Sequence, residues 1–200
     1  MVGAQPREAE RGPGRPREER VTGAVLRAVV DLITEQGIGA VTMDAVAARA
    51  GVSKPAIYRR WPTKQDLIIA AAETRIGVLT VPDLGDFSAE LRFLLTARLQ
   101  AYRLPGSDRL IAGLIGAAAE AGAVRGEYAG YTERITSETR HILERGIARG
   151  EVLPETDVRA AATLVAAPLF FRLIVEQELP DAALVDTLVD LVSRAVRPAA

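Results

Sequence analysis

The 200-residue chain contains no cysteine and a single histidine, His141, so it has few of the side chains that nucleophilic and zinc-dependent enzymes use. Without cysteine the chain can form neither a disulfide nor a thiolate nucleophile, which fits a reducing compartment. One histidine leaves no set of nucleophile, base and orienting group, and it supplies too few ligands for zinc. The glycines are scattered and form no phosphate-binding loop. We therefore predict that the protein is not an enzyme and uses no metal or cofactor.

The chain also lacks a long apolar run. The longest largely apolar stretch, residues 160–171, is too short to cross a bilayer, and the first 20 residues contain no apolar segment typical of a secretory signal. We therefore expect a cytoplasmic protein with no membrane partner.

Charge is unevenly distributed, although the formal net charge is only −1. Residues 1–65 contain 11 lysines and arginines against 7 acidic residues, a net charge of +4, whereas residues 66–200 contain 14 against 19, a net charge of −5. The only two lysines, Lys54 and Lys64, both lie in the basic part. This distribution is expected when one domain binds nucleic acid and the other does not.

Residues 42–64 predict a helix-turn-helix. Alanine and valine give the first short helix a small apolar face, and Gly51 permits the positive backbone angle of a tight turn. Ser53 can cap a second helix that accepts Pro55 in its first turn, where a backbone N–H would be unpaired. The buried side of the second helix needs only Ile57 and Trp61. Such a helix presents its N-terminal side chains to the major groove and its cations to phosphate.

Apolar residues recur at helical spacing along the rest of the chain, and no strand-like alternation is found. We predict an all-α fold of about nine helices, in which Thr63 and Asp66 form a capping box at the start of the fourth. The predicted organisation is a disordered basic tail (1–17), a three-helix helix-turn-helix DNA-binding domain (18–80) and a helical domain (84–200). Residues 15–17, Arg-Pro-Arg, fit either a solvated tail or an arm in the minor groove.

From Gly37 to Ala72 the sequence resembles the DNA-binding domain of the TetR family of bacterial transcriptional regulators. The resemblance is carried by the run AGVSKPAIYRRWPTKQDL, which includes the Ile57–Tyr58 pair and the Pro62-Thr63-Lys64 start of the fourth helix. It implies a repressor that binds a palindromic operator as a dimer and is released by a small molecule. The alternative is a helix-turn-helix activator or DNA-organising protein without small-molecule input.

The resemblance also implies a set of DNA contacts: Thr42, Ser53, Lys54, Pro55, Ala56, Tyr58, Arg59, Arg60 and Lys64. Thr42 and Lys64, at helix N-termini, would meet phosphate, whereas Lys54 and Ala56 would meet base edges. Asp44 stands where some relatives carry a base-reading arginine. We expect Asp44 to cap its helix or to orient Arg49.

The last two predicted helices, about 156–177 and 181–197, suggest a partner. The first is apolar nearly all round, and a helix of that kind must be buried on all sides. Pairing with the same helices of a second chain would bury both, and the resemblance implies such a homodimer. The alternative is a monomer whose core is built around them.

The resemblance further implies an effector pocket among the middle helices. Candidate lining residues are Leu95, Leu99, Tyr102, Leu114, Tyr128, Tyr131, Phe170, Phe171 and Arg172, for each of which ordinary core packing is the alternative. An apolar pocket with few charges favours a lipophilic or aromatic ligand. Glu176, four residues after Arg172, can pair with it within the helix.

Overall fold

The computed structural model of the protein describes residues 15–77, 79–120 and 125–198, and within these ranges its secondary structure is entirely helical. The helices are α1 (Arg15–Gln36), a 3-10 turn (Ile38–Ala40), α2 (Met43–Ala50), α3 (Lys54–Tyr58), α4 (Lys64–Ile76), α5 (Phe87–Tyr102), α6 (Ser107–Glu120), α7 (Arg125–Ala148), α8 (Val158–Ile174) and α9 (Ala182–Val196). The predicted all-α fold is confirmed. None of the described helices has the length and apolar character needed to cross a membrane.

Helix α1 begins at Arg15, three residues earlier than predicted, so residues 15–17 belong to the helix and not to a disordered tail. Pro16 is tolerated because the first turn of a helix needs no backbone donor, and Glu18 in that turn favours the positive end of the helix dipole. Residues 1–14 lie outside the described part of the chain.

In the N-terminal domain α2 and α4 pack against α1, and α3 packs against α2. Val25, Val29 and Ile33 of α1 are buried at the helical spacing predicted from the sequence. They share one core with Ile57 of α3 and Leu67 of α4, both fully buried. Because the core lies on one side of α2 and α3, the opposite sides of these two helices are open to a binding partner.

The C-terminal domain packs α5 against α7 and α9, and α7 against α8. Glu90 of α5 is fully buried in its core, and the Glu90 carboxylate lies 2.9 Å from the guanidinium of Arg145 and 3.2 Å from that of Arg149. A buried carboxylate is tolerated only when it is paired in this way, so the cluster holds α7 on α5.

The two domains meet where the turn between α5 and α6 rests on the end of α1. Gly106 in this turn has a φ of +79°, and a Cβ atom there would lie 2.1 Å from the Oγ1 of Thr34. Arg109 donates to the carbonyl of Thr34 at 2.6 Å, and Arg75 of α4 donates to the carbonyl of Pro105 at 2.8 Å. These contacts tie the position of the α5–α6 turn to α1 and α4 of the DNA-binding domain.

Candidate nucleic-acid interface

The turn of the helix-turn-helix has the predicted geometry. Gly51 adopts the left-handed conformation, with a φ of 66°, and the N–H of Val52 donates to the carbonyl of Ala47 at 3.1 Å. The N-cap of α2 is Thr42, whose Oγ1 accepts from the N–H of Ala45 at 3.1 Å. The hydroxyl proton of Thr42 remains available to a phosphate oxygen, so capping and DNA contact are compatible.

Helix α3 presents one apolar side to the core and the other to solvent. Ile57 and Trp61 are buried, as predicted, and Ser53, Pro55 and Tyr58 are exposed. Ser53 occupies the N-cap position, but its side chain makes no capping hydrogen bond, contrary to the expected role. Its hydroxyl is therefore free for DNA, and the short helix depends for stability on the packing of Ile57.

Lys54 and Asp44 form an ion pair across the turn, with Nζ and Oδ1 2.7 Å apart. This hydrogen bond raises the pKa of Lys54. The expectation that Asp44 caps α2 or orients Arg49 is wrong. Arg49 instead pairs with Glu35 of α1 at 2.6 Å. The pairing of Asp44 with Lys54 was missed from the sequence.

The remaining cations differ in their freedom to meet DNA. Arg60 pairs with Glu18 of α1 at 3.0 Å and so helps to hold the end of the recognition segment on α1. Arg59 is exposed, and neither Arg59 nor Lys64 has a described carboxylate within ion-pair distance. Ala56, the remaining predicted base contact, is partly exposed beside Lys54.

Lys64 is the first residue of α4, which begins with the predicted capping box. The N–H of Asp66 donates to the Oγ1 of Thr63 at 3.1 Å, and the N–H of Thr63 donates to the Oδ2 of Asp66 at 2.9 Å. The ordered N-terminus adds its positive dipole to the charge of Lys64, a combination that attracts phosphate.

The predicted effector-pocket residues fall into separate groups. Leu95, Leu99, Tyr102 and Leu114 are buried together in the core, where burial raises the pKa of Tyr102. Phe170 is partly buried and Phe171 exposed, and the side chains of Tyr128 and Tyr131 lie outside the described part of the structure. Arg172 pairs with Glu176 at 2.7 Å, as predicted, and with Glu178 at 2.8 Å.

A cleft of about 620 Å³ opens beside the junction of the two domains. One wall is the turn from Tyr102 to Gly106 with Arg109 of α6, and the other is the end of α8, where Leu173 and Ile174 lie. This volume is within the range of small-molecule sites, about 300–1,000 Å³. Tyr102 connects the cleft with the buried core group.

An apolar stripe is exposed along α8 and continues onto Val175, its C-cap residue, which keeps a helical conformation. Leu164, Phe171 and Val175 are 67%, 51% and 58% exposed. Their spacing places them within about 40° of one another around the helix axis. Across the described residues, no three acidic or histidine side chains are grouped so that they could hold a metal.

Comparison with known proteins agrees with this arrangement. Residues 25–71 match the family "Bacterial regulatory proteins, tetR family", and residues 81–192 match "Tetracyclin repressor-like, C-terminal domain". The HTH-type transcriptional regulator YdeS of Bacillus subtilis (strain 168) is 33% identical over 164 residues, which cover 81% of this chain and 82% of YdeS.

Solved structures give the same result for the fold. The crystal structure of the TetR family transcription regulator SCO0332 is similar with a TM-score of 0.67 and 28% identity, over 90% of this chain and 100% of that chain. FadR from Bacillus subtilis, crystallised with stearoyl-CoA, is similar in fold with a TM-score of 0.64 and 17% identity, over 88% of this chain and 99% of that chain. Because the C-terminal match alone spans more than half of the sequence, the protein belongs to the TetR family and is a DNA-binding transcriptional regulator.

Proposed function

We propose that the protein is a homodimeric repressor that binds a palindromic operator and is released by a small lipophilic or aromatic ligand. It would act in the cytoplasm, where a bacterial chromosome is accessible. The observation that carries the proposal is the combination, in one chain, of a solvent-exposed helix-turn-helix and an uncovered apolar stripe on α8.

The DNA contacts would come from the exposed end of α3 and from the helix N-termini beside it. Tyr58 is half exposed, Arg59 and Lys64 have no described carboxylate partner, and the hydroxyls of Thr42 and Ser53 are free to donate. Two such units related by a twofold axis would enter successive major grooves, about 34–36 Å apart or a multiple of that distance. Arg60, already paired with Glu18, would support the end of α3 rather than contact a base.

The dimer would form through α8 and α9. Burying large apolar side chains is favourable by about 1.5–3 kcal/mol each, and a twofold axis would bury Leu164, Phe171 and Val175 on both copies. Leu191 on α9 is similarly exposed and would extend the apolar area. The same pairing fixes the separation of the two recognition helices, so dimerisation and operator binding are one requirement.

The effector would occupy the cleft beside Tyr102. A ligand there would contact the α5–α6 turn, which rests on Thr34 of α1. It can release DNA only if it binds more tightly to a conformation in which the recognition helices are separated differently. The apolar side chains Leu173 and Ile174 in the cleft favour a lipophilic compound, and the bound stearoyl-CoA of FadR is consistent with such chemistry in this fold.

The test compares Leu164→Glu with Leu84→Glu, a matched change at an exposed leucine outside α8 and α9. Light scattering on the full chain should give the mass of two copies for the wild type and Leu84→Glu, and of one copy for Leu164→Glu. Operator affinity should fall only for Leu164→Glu. A dimeric, fully active Leu164→Glu would refute the interface.

Ligand release is tested separately by thermal unfolding with a panel of lipophilic and aromatic compounds. An effector bound to the folded state at 100 times its Kd stabilises it by about 2.7 kcal/mol and so raises Tm. The same compound should release DNA. If no compound raises Tm, the activator or DNA-organising alternative replaces the ligand-released repressor.

A further inference from the structure

The ion pair between Asp44 and Lys54 lies where an acidic side chain is unfavourable for a DNA-binding surface. Asp44 is in the first turn of α2 and Lys54 is the first residue of α3, so both lie at the helix N-termini to which the DNA contacts are assigned above. Their side chains are 78% and 50% exposed. An exposed carboxylate at this place would repel phosphate unless it were neutralised or given a donor of its own.

The pair contributes little to holding α2 and α3 together. Exposed ion pairs add little to stability because water screens them and two long side chains must be ordered. The two helices are already fixed by the tight turn at Gly51 and by the buried side chains Val46 and Ile57. A reason for the pair is therefore to be sought in DNA recognition.

We propose that Asp44 and Lys54 together read one G·C base pair in each half-site, with Lys54 donating to guanine and Asp44 accepting from cytosine. The proposal rests on the operator binding described above and specifies its base preference. Lysine donates to O6 and N7 of guanine, and aspartate accepts from N4 of cytosine.

The geometry of the pair matches that of the base edge. In a G·C pair the cytosine N4 donates to the guanine O6, so these two atoms are about 2.9 Å apart and lie side by side in the major groove. In the protein the donor Nζ and the acceptor Oδ1 are 2.7 Å apart. One donor beside one acceptor, at nearly the same separation, can meet O6 and N4 at the same time.

An A·T pair also places a donor beside an acceptor, N6 of adenine and O4 of thymine. In an A·T pair, however, the thymine methyl group lies next to O4 and crowds the approach of a lysine. Guanine offers lysine two neighbouring acceptors, O6 and N7, whereas adenine has the donor N6 at the position of O6. The geometry therefore favours G·C over A·T.

The ion pair of Asp44 and Lys54 carries no net charge, so the proposal also predicts how DNA binding depends on salt. A neutral pair releases no counterions, so it should add nothing to the salt dependence of binding. Removing the carboxylate frees Lys54 to meet phosphate, which should steepen the log–log salt slope by about 0.9 for each half-site.

The test uses the full-length chain to select duplexes from a random-sequence library at near-physiological salt. The variants are Asp44→Ala, Asp44→Asn and, as the matched control, Glu35→Gln, which removes the carboxylate from the other exposed ion pair of α2. The wild type and Glu35→Gln should enrich the same palindrome with one fixed G·C pair. Asp44→Ala should lose that preference by about 5- to 150-fold, and Asp44→Asn should shift it towards A·T, because asparagine binds adenine.

The outcomes separate this proposal from operator binding itself. If the wild type enriches no palindrome, the proposed function fails first. If it enriches a palindrome that Asp44→Ala and Asp44→Asn also enrich unchanged, with an unchanged salt slope, the reading by Asp44 and Lys54 is overturned while operator binding remains. A fixed A·T pair that relaxes in Asp44→Ala would overturn the G·C assignment. Circular dichroism of each variant verifies that a lost preference is not unfolding.

Discussion

Replacing Gly106 by alanine should destabilise the protein in two separable ways. An alanine held at a φ of +79° is strained, which costs about 1–2 kcal/mol. Its Cβ would also lie 2.1 Å from the Oγ1 and 2.9 Å from the Cβ of Thr34, so the turn must move away from α1. Overpacking of this kind costs about 1–3 kcal/mol more. The expected total is about 2–5 kcal/mol.

Gly150→Ala isolates the first effect. Gly150 has a similar φ of +74°, but a Cβ there would meet nothing within 4 Å, so only the strain of about 1–2 kcal/mol applies. Urea unfolding of both variants should be followed by the fluorescence of Trp61, the single tryptophan, and by circular dichroism. Gly106→Ala should be less stable than Gly150→Ala by about 1–3 kcal/mol, which corresponds to a Tm lower by about 2–12 °C.

Equal destabilisation by the two variants would refute the packing of the α5–α6 turn on α1. A double variant, Thr34→Ala with Gly106→Ala, provides an internal check. The double variant removes the Oγ1 of Thr34, which is the atom closest to the added Cβ, but keeps the Cβ of residue 34. It should therefore recover part, but not all, of the stability difference between Gly106→Ala and Gly150→Ala.

Two further predictions concern the charges of the DNA-binding domain. Lys64→Ala should flatten the log–log salt slope of operator binding by about 0.9 for each half-site. Base preference should change little, because phosphate contacts carry no sequence information. Filter binding at several salt concentrations measures the slope, and an unchanged slope would count against the phosphate contact. Glu35→Gln should destabilise the protein at neutral pH but not in acid. The hydrogen bond from Arg49 lowers the pKa of Glu35 below its ordinary value of 4.5, so the stabilisation is complete above that pH and is lost as the pH falls through the lowered value. Urea unfolding of both proteins between pH 3 and 8 measures this, and a difference that does not depend on pH would contradict it.

The local features of the DNA-binding domain could be predicted because each depends on a few neighbouring residues. Gly51 is needed for a positive φ, and Thr63 and Asp66 are spaced for a capping box. In the C-terminal domain, Arg172 near the end of α8 pairs as expected with Glu176, four residues later and just beyond the helix.

The pairing of Asp44 was predicted wrongly for a geometrical reason. Residues five apart, such as Asp44 and Arg49, point about 140° away from each other on a helix, so they cannot meet. Arg49 instead pairs with Glu35 because α1 packs against α2. Asp44 pairs with Lys54 because the turn brings the start of α3 next to the start of α2. Both pairings depend on how helices pack, which helical periodicity does not contain.

The cleft proposed as the effector site could not be located from the sequence for a related reason. Apolar residues at helical spacing, such as Leu95 and Leu99, have the same pattern whether they fill a core or line a cavity. The cleft depends on the turn around Gly106, and the contact of this turn with Thr34 joins residues 72 positions apart. A single sequence shows Gly106 only as the end of a helix.

The most direct test of the regulator is a selection of genomic fragments by the purified full chain at near-physiological salt, followed by sequencing. The account predicts a palindrome enriched upstream of a few genes, with half-sites about 34–36 Å apart or a multiple of that distance. DNA retained only at low salt, with no sequence enriched, would contradict it, since unspecific attraction to phosphate would then explain all the binding.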